Sequence, residues 1–186
     1  MGTQILVESL QMLTTVYLTL LILRFLFQLC QVDFYNPISQ FIATATNPVT
    51  NPVRKMIPPV RRFDAASLIT AVVIQAIMYL VILSLAGYGF QPLALLIWGV
   101  LKVVSLVLTI YFFAIIGMIV ISWLAPGNPH PGIQIIHQIT EPVMAPFRNL
   151  LPPMGGLDLS PILVFLVLNM VQVVMSHLQQ AAGMPF

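Results

Sequence analysis

The chain repeats itself at a fixed offset of 94 residues, and the two copies align without a gap. The shared positions are rigid or charged residues, which chance rarely matches in such number. They are Pro37 with Pro131, Pro48 with Pro142, Pro52 with Pro146, Arg54 with Arg148, Pro58-Pro59 with Pro152-Pro153, and Asp64 with Asp158. We therefore divide the chain into a first repeat, 1–90, and a second repeat, 91–186.

Long apolar runs in both repeats predict membrane-spanning helices. Because 59% of the residues are hydrophobic and only 6% are charged, lipid is the expected solvent of the chain. About 20 apolar residues cross a hydrocarbon core of about 30 Å. The predicted spans are 10–30 and 67–86 in the first repeat, and 103–124 and 160–178 in the second. The predicted fold is an all-α membrane protein with about four transmembrane helices in two parallel tandem repeats.

The apolar run over 93–125 admits two interpretations. As one helix it would measure about 50 Å, more than the hydrocarbon core requires. In the first interpretation only 103–124 crosses, with Lys102 at one interface and Trp123 at the other, and 93–101 lies in or above the interface. In the alternative the run crosses twice, which would reverse the parity of the repeats.

Each loop between paired spans is predicted to contain a short amphipathic helix at the membrane interface. A polar residue followed by proline favours a helix start, and a later proline is expected to end the helix. These residues are Asn36, Pro37 and Pro48 in the first repeat, and His130, Pro131 and Pro142 in the second. The predicted helices are 37–47 and 131–141. Their apolar faces are Phe41, Ile42, Ala45 and Val49, and Ile135, Ile136, Ile139 and Val143.

The rest of each loop carries the charges. Basic residues in the connections predict that both loops face the cytoplasm and both termini face outward. They are Arg54, Lys55, Arg61 and Arg62 in the first loop and Arg148 in the second. We expect attraction to anionic lipid of roughly 1 kcal/mol per base, and prolines 52, 58 and 59 to keep the first loop extended. Asp64 and Asp158 precede the next spans and are expected to cap them.

The two loops differ just before their aspartates. The first has Val60-Arg61-Arg62-Phe63, whereas the matched residues of the second are Met154-Gly155-Gly156-Leu157. Glycine is the residue that most readily adopts a positive φ. A turn of that kind is therefore expected in the second loop and not in the first.

Polar residues within or beside the spans are the candidate functional residues. They are Arg24, Gln28, Asp33, Asn36, Arg54, Asp64 and Gln75 in the first repeat, and Arg148, Asp158, Asn169 and Gln172 in the second. Gln75 and Asn169 are equivalent, and each lies about 16 Å past its aspartate, near the midplane. They either hydrogen-bond between helices or line a polar path for an ion. Arg24 either anchors its helix, with Gln28 and Asp33 as partners, or serves as a gate or partner contact.

Several classes of function lack support in the sequence. Seven basic and five acidic residues are too few for a nucleic-acid-binding face. Cys30 is the only cysteine, and His130 and His137 have no third ligand nearby, so no metal, disulfide or cofactor site is predicted. No serine or cysteine stands beside a base and an orienting acid, which predicts a non-enzymatic protein. A cleaved signal peptide has basic residues before its apolar run, whereas here the first base, Arg24, lies within that run, so the first helix is expected to be retained rather than cleaved.

The segments DFYNPISQFIATATNPVTNPVRKMIPP (33–59) and ITEPVMAPFRNLLPPMGGLDLSPILVFLVLN (139–169) resemble the two repeats of the YggT family of bacterial envelope proteins. The resemblance implies a small multi-pass protein of the bacterial cytoplasmic (inner) membrane. It further implies a link to osmotic stress tolerance and ion homeostasis, and in plastid relatives to cytochrome or nucleoid organisation. It supplies no catalytic residues.

Two alternative functions are therefore expected, and the first is preferred. The first is an envelope assembly or organising factor that acts through contacts with anionic lipid headgroups and with membrane-protein partners or further copies of itself. The second is a small channel or transporter for ions or osmolytes, with a polar path near Gln75 and Asn169.

Overall fold

The structure is a computed structural model that describes residues 2–89, 91–150, 158 and 160–184. The described residues form six helices and no strand longer than an isolated bridge between Val60 and Phe63. The helices are α1 (Gly2–Leu29), α2 (Pro37–Met56), α3 (Ala65–Leu85), α4 (Pro92–Leu124), α5 (Pro131–Leu150) and α6 (Ser160–Ala181). The order α4, α5, α6 repeats the order α1, α2, α3.

Four of these helices, α1, α3, α4 and α6, are long and apolar enough to cross a membrane. The predicted all-α membrane fold with four spans in two repeats is confirmed. Each repeat contributes two spans, so both copies enter the bilayer in the same sense.

Helix α4 settles the ambiguity over 93–125. It is one unbroken helix of 33 residues, so the alternative with two crossings is wrong. Residues 93–101 continue this helix and pack on α3, and their position in or above the membrane interface stays a prediction. Gly99 lies so close to α3 that an added Cβ would stand 2.9 Å from the carbonyl oxygen of Val72. Nearby, Trp98 packs edge-on against Tyr79 and donates a 2.8 Å hydrogen bond to the carbonyl of Ala182.

The prediction that Pro48 and Pro142 end the loop helices is wrong. Helix α2 runs to Met56 and α5 to Leu150, and each contains two internal prolines. A proline inside a helix leaves one carbonyl without its usual N–H donor. In α2 the carbonyl of Ala43, next to that position, accepts a hydrogen bond from α1, as described below.

The residues that α2 and α5 bury against the rest of the protein coincide only in part with the predicted apolar faces. They are Ser39, Ile42, Thr46 and Thr50 in α2, and Ile135, Ile139, Thr140 and Met144 in α5. Phe41, predicted to lie on the apolar face of α2, is 64% exposed. Threonine has enough apolar surface to be buried once its hydroxyl bonds to a carbonyl one turn earlier. Thr46 and Thr140 do so at 2.6 and 2.8 Å. A position of α2 and α5 in the headgroup interface stays a prediction.

The two repeats do not have equivalent surroundings. Helix α3 packs against α1, α2 and α4, whereas α6 packs mainly against α4 and α5. The face of α6 that corresponds to the α4-facing side of α3 has no third repeat to cover it. Equivalent residues of α3 and α6 can therefore differ in burial.

An apolar layer closes the centre of the first repeat. Its buried side chains come from α1, α3 and α4, and they pack into one cluster. The members are Leu18, Leu21, Ile22, Phe25, Leu26, Ala71 and Val103. Leu18, Leu21 and Ile22 have no solvent exposure at all. This apolar layer separates the two ends of the α1–α3 pair.

Candidate functional site

Matched caps begin α2 and α5 as predicted. The side chain of Asn36 accepts a 2.9 Å hydrogen bond from the N–H of Ile38. At the equivalent position, Nδ1 of His130 accepts one of 3.1 Å from the N–H of Gly132. The amide of Asn36 also donates to the carbonyl of Pro131 at 2.9 Å. Asn36 therefore both starts α2 and joins it to α5 of the other repeat.

Arg24 reaches from α1 into the proline-containing part of α2. Its Nη1 donates to Thr46 Oγ1 at 2.7 Å and to the carbonyl of Ala43 at 3.1 Å. Ala43 directly precedes Thr44. The carbonyl of Thr44 is the one that Pro48 leaves without an N–H donor. Arg24 is 8% exposed and forms no ion pair with any carboxylate in the described part of the chain. The predicted pairing with Asp33 is wrong.

Arg54, near the end of α2, joins α1 to the start of α3. Its Nη2 donates to Gln28 Oε1 at 3.1 Å and to Asp64 Oδ2 at 2.5 Å. The carboxylate of Asp64 is fully buried and also accepts the hydroxyl hydrogen of Ser67. Its side chain makes no capping bond to the backbone of α3, so the predicted capping role of Asp64 is wrong. Asp64 is instead the buried counter-ion of Arg54.

Burial raises the pKa of a carboxyl group because it disfavours the charged form. At Asp64 the hydrogen bonds from Arg54 and Ser67 and the nearby positive charge outweigh this effect, so its pKa lies below the ordinary value. Asp64 is therefore an anion at neutral pH, paired with a cation whose side chain is 25% exposed.

The equivalent pair of the second repeat lies at the surface. Arg148 contacts Asp158 through Nε at 3.1 Å and Glu141 through Nη1 at 2.7 Å. All three side chains are between 38% and 53% exposed. Asp158 also accepts a 2.9 Å bond from the N–H of Ser160, which is the capping role predicted for it. Burial opposes ionisation of Asp158, but the bonds from Ser160 and Arg148 prevail and lower its pKa.

One contact between paired helices recurs in both repeats with different chemistry. Arg24 bonds to Thr46, and the residues 94 positions later are Met118 and Thr140. There the hydroxyl of Thr140 contacts Met118 Sδ at 3.4 Å. The second repeat thus holds a neutral thioether where the first holds a buried cation.

Two polar cavities flank the apolar layer. The first, the arginine cavity, has a volume of about 380 Å³ and is lined by residues of α1, of α2 and of the two adjoining loops. Its polar lining residues are Arg24, Gln28, Gln31, Arg54, Arg61 and Arg62. The second, the lysine cavity, has a volume of about 250 Å³ and lies toward the start of α1. Its polar lining residues are Glu8, Gln11, Thr14, Thr15, Gln75, Tyr79 and Lys102.

Comparison with known proteins matches both repeats to one family. The model of the CCB3/YggT family matches residues 3–85 and again residues 97–179. The two matched segments start and end 94 residues apart, which is the offset of the internal repeat. The chain belongs to the CCB3/YggT family.

Relatives of this CCB3/YggT protein occur in bacteria and plastids. An uncharacterized protein of Pseudomonas aeruginosa is 48% identical over 95% of the chain and 91% of its own length. The uncharacterized protein YggT of Escherichia coli K12 is 33% identical over 90% of the chain and 87% of its own length. The chloroplastic YlmG homolog protein 2 of Arabidopsis thaliana is 42% identical, over 33% of the chain and 24% of its own length. No solved structure matches.

The structure separates the two predicted midplane amides of the CCB3/YggT fold. Gln75 is 4% exposed and borders the lysine cavity. Asn169 is exposed, and its amide donates to the carbonyl of Phe165 in its own helix at 2.8 Å. Gln172, one turn further on, is half-buried. The difference follows from the packing of α3 between two spans, α1 and α4, whereas α6 packs mainly against one span, α4.

Asp33, a candidate residue from the sequence, lies in the connection between α1 and α2. It accepts the N–H of Tyr35 at 2.9 Å and donates its own N–H to Gln138 of α5.

Thr46, which bonds to Arg24, is not predicted as a functional residue, because a threonine on an apolar helix face has no distinctive sequence pattern. The comparison of position 24 with position 118 could have directed attention to it, since only one repeat holds a charge there.

Proposed function

We propose that this protein is a non-enzymatic organising factor of the bacterial cell envelope, which acts through contacts within the membrane and supports tolerance of osmotic stress. The apolar layer carries the proposal. It stands between the two polar cavities, and three of its leucine and isoleucine side chains have no exposure. A protein that works by conducting ions needs a hydrated path, and a scaffold needs a closed, well-packed centre.

Distances along α1 define the thickness of this barrier. Thr14 borders the lysine cavity and Arg24 borders the arginine cavity. Ten residues of helix between them span about 15 Å. Over that length the bundle interior is filled by aliphatic side chains, which give an ion no replacement for its hydration shell.

A small ion or osmolyte transporter is the second candidate, and the lysine cavity favours it. Glu8, Gln75 and Lys102 line one compact polar space among membrane-spanning helices, a common position for ion pathways. Together with the arginine cavity it would provide one compartment on each side of the barrier. Transport would then require the apolar layer to open.

Ion flux separates the two candidates. Proteoliposomes that contain the wild-type chain should pass K⁺, Na⁺ and Cl⁻ no faster than protein-free vesicles, because the apolar layer excludes water. The double variant Gln75→Leu/Asn169→Leu should give the same rate. The ion flux is measured as the decay of an ion gradient, which a fluorescent indicator reports. A wild-type flux that this double variant abolishes would replace the organising role with the transport role.

We further propose the bacterial cytoplasmic membrane as the location, with the arginine cavity facing the cytoplasm. The excess of Lys and Arg in the loops supports this orientation. The similarity to proteins of bacteria supports a bacterial membrane as the location. Anionic headgroups are the proposed lipid contacts, and membrane proteins or further copies of the chain the proposed partners.

Thiol labelling tests the orientation. In a Cys30→Ser background, the variant Arg62→Cys should resist a membrane-impermeant maleimide in intact cells and react fully after permeabilisation, because the loop would be cytoplasmic. The variant Gln91→Cys, in the connection between α3 and α4, serves as the control and should react in intact cells. The reverse pattern would place the arginine cavity outside.

A further inference from the structure

The arginine cavity contains a buried cation that forms no ion pair with a carboxylate of the described residues. Arg24 is more than nine-tenths buried, and its described hydrogen bonds involve Nη1 alone, to a neutral hydroxyl and a neutral carbonyl. Removing a guanidinium from water costs several kcal/mol unless an anion or a full set of acceptors replaces the lost hydration. The buried Nε of Arg54 has no acceptor among the described residues, and Oδ1 of its partner Asp64 has no donor there. Both arginines line the same cavity.

Two further cations reach this cavity from a strained turn. Val60 and Phe63 exchange backbone hydrogen bonds of 3.0 Å, which places Arg61 and Arg62 at the tip. Phe63 packs edge-on against Phe25 of α1, with ring centroids 5.4 Å apart, and so holds the turn against the helix.

The conformation of this turn differs from the expectation. Arg61 has a φ of +53°, so a positive-φ turn is present in the first loop although no glycine stands there. A left-handed conformation costs a non-glycine residue about 1 kcal/mol or more, and such strain is concentrated at functional sites. The equivalent residue in the sequence of the second repeat is Gly155, which would pay no such cost.

The charge in the arginine cavity is strongly unbalanced. Four arginines line it, and the ion pairs among the described residues supply one carboxylate, that of Asp64. A ligand with more than one negative charge and several acceptor oxygens fits this imbalance. Guanidinium groups present paired N–H donors in a plane, and this geometry matches phosphate oxygens two at a time.

The second repeat supplies an internal comparison. A cavity of about 410 Å³ lies at the equivalent place between α4 and α5. Ile121, Ser122, Ala125, Pro126, Asn128 and His137 line it where the first repeat has Phe27, Gln28, Gln31, Val32, Phe34 and Ala43. No arginine is among the lining residues described for it. The fold thus forms this cavity in both repeats, and only the first repeat makes it cationic.

We propose that the arginine cavity is a binding site for a phosphate group, carried by an anionic phospholipid or free in solution. Arg24 and Arg54 form its base, and Arg61 and Arg62 close it from the turn. A cavity at the end of membrane-spanning helices is accessible to headgroups and to the aqueous phase alike. The site would bind phosphate whether the protein organises the envelope or transports ions.

Ligand-dependent stabilisation of the full chain in detergent micelles tests the proposal. The thermal unfolding midpoint would be measured against dihexanoyl phosphatidic acid, sodium phosphate, and sodium chloride of equal ionic strength. A ligand that binds the folded state raises the midpoint. Phosphatidic acid or phosphate should raise it, and Arg61→Gln/Arg62→Gln should weaken the apparent affinity at least about tenfold. Both side chains are exposed and make no hydrogen bond in the described structure, so this variant should fold.

Lys55→Gln is the matched control. It removes one positive charge from the same loop, whereas the double variant removes two, and Lys55 does not line the cavity, so affinity should change less than about twofold. A response to phosphatidic acid alone identifies a lipid headgroup as the ligand, and a response to both compounds identifies the phosphate group itself. Absence of any shift beyond that of chloride, or an equal loss in Lys55→Gln, would overturn the proposal.

Discussion

Replacing Arg54 with glutamine should lower the free energy of unfolding by about 3–5 kcal/mol, the usual cost of breaking a buried ion pair from one side. The carboxylate of Asp64 has no exposure and would retain only the Ser67 hydroxyl as a described hydrogen-bond partner. Gln28 would also lose the donor to its Oε1. Unfolding by sodium dodecyl sulfate in mixed micelles, followed by circular dichroism, measures the change.

Arg148→Gln is the matched control, because it removes the same residue type from the equivalent position. Its partners Glu141 and Asp158 are about half exposed, so water can solvate them and the cost should not exceed about 1 kcal/mol. The double variant Arg54→Gln/Asp64→Asn should recover most of the loss, since it removes the buried charge as well. Equal losses at Arg54 and Arg148 would show that burial of Asp64 is not the cause.

The architecture was predictable because its signals are local. Apolar runs identify spans from their length, and a proline and arginine pattern at a constant offset identifies the repeat. The ends of α2 and α5 were not predictable from the same information. The rule that a proline ends a helix describes an isolated helix. In the folded chain Arg24 of α1 contacts the carbonyl of Ala43, about one turn before Pro48. That contact depends on the packing of α1 against α2, which the sequence does not state.

The candidate site was likewise predictable only in part. Arg54 and Asp64 share a site, and the repeat pattern had already selected both. Gln75 and Asn169 were paired by the same offset, yet one is buried and the other exposed. Repeat equivalence predicts the local structure of a residue but not its neighbours, because α3 lies between the spans α1 and α4, whereas α6 packs mainly against one span, α4. Burial at such positions depends on the arrangement of the two repeats.

Replacing Arg24 with methionine should leave the free energy of unfolding equal to or above that of the wild type and should abolish phosphate binding. Met118 shows that methionine fits the equivalent place, where it is 6% exposed and contacts Thr140 at 3.4 Å. Thr46 would keep its 2.6 Å bond to the carbonyl of Ile42. Removal of an unpaired buried cation also removes its desolvation cost. The same detergent titration and phosphate-dependent midpoint measure both quantities.

The outcome decides between the two roles considered for Arg24. If the residue anchors α1 to α2, Arg24→Met should lose about 2 kcal/mol or more, comparable to a lost hydrogen bond from a charged group, while Arg61 and Arg62 still bind phosphate. If Arg24 forms the base of the site, stability persists and binding is lost. Met118→Leu, a volume-conserving change in the second repeat, sets the background cost, expected below about 1.5 kcal/mol. In that second case the buried charge of Arg24 is explained by the anion that it binds, since no described carboxylate pairs with it.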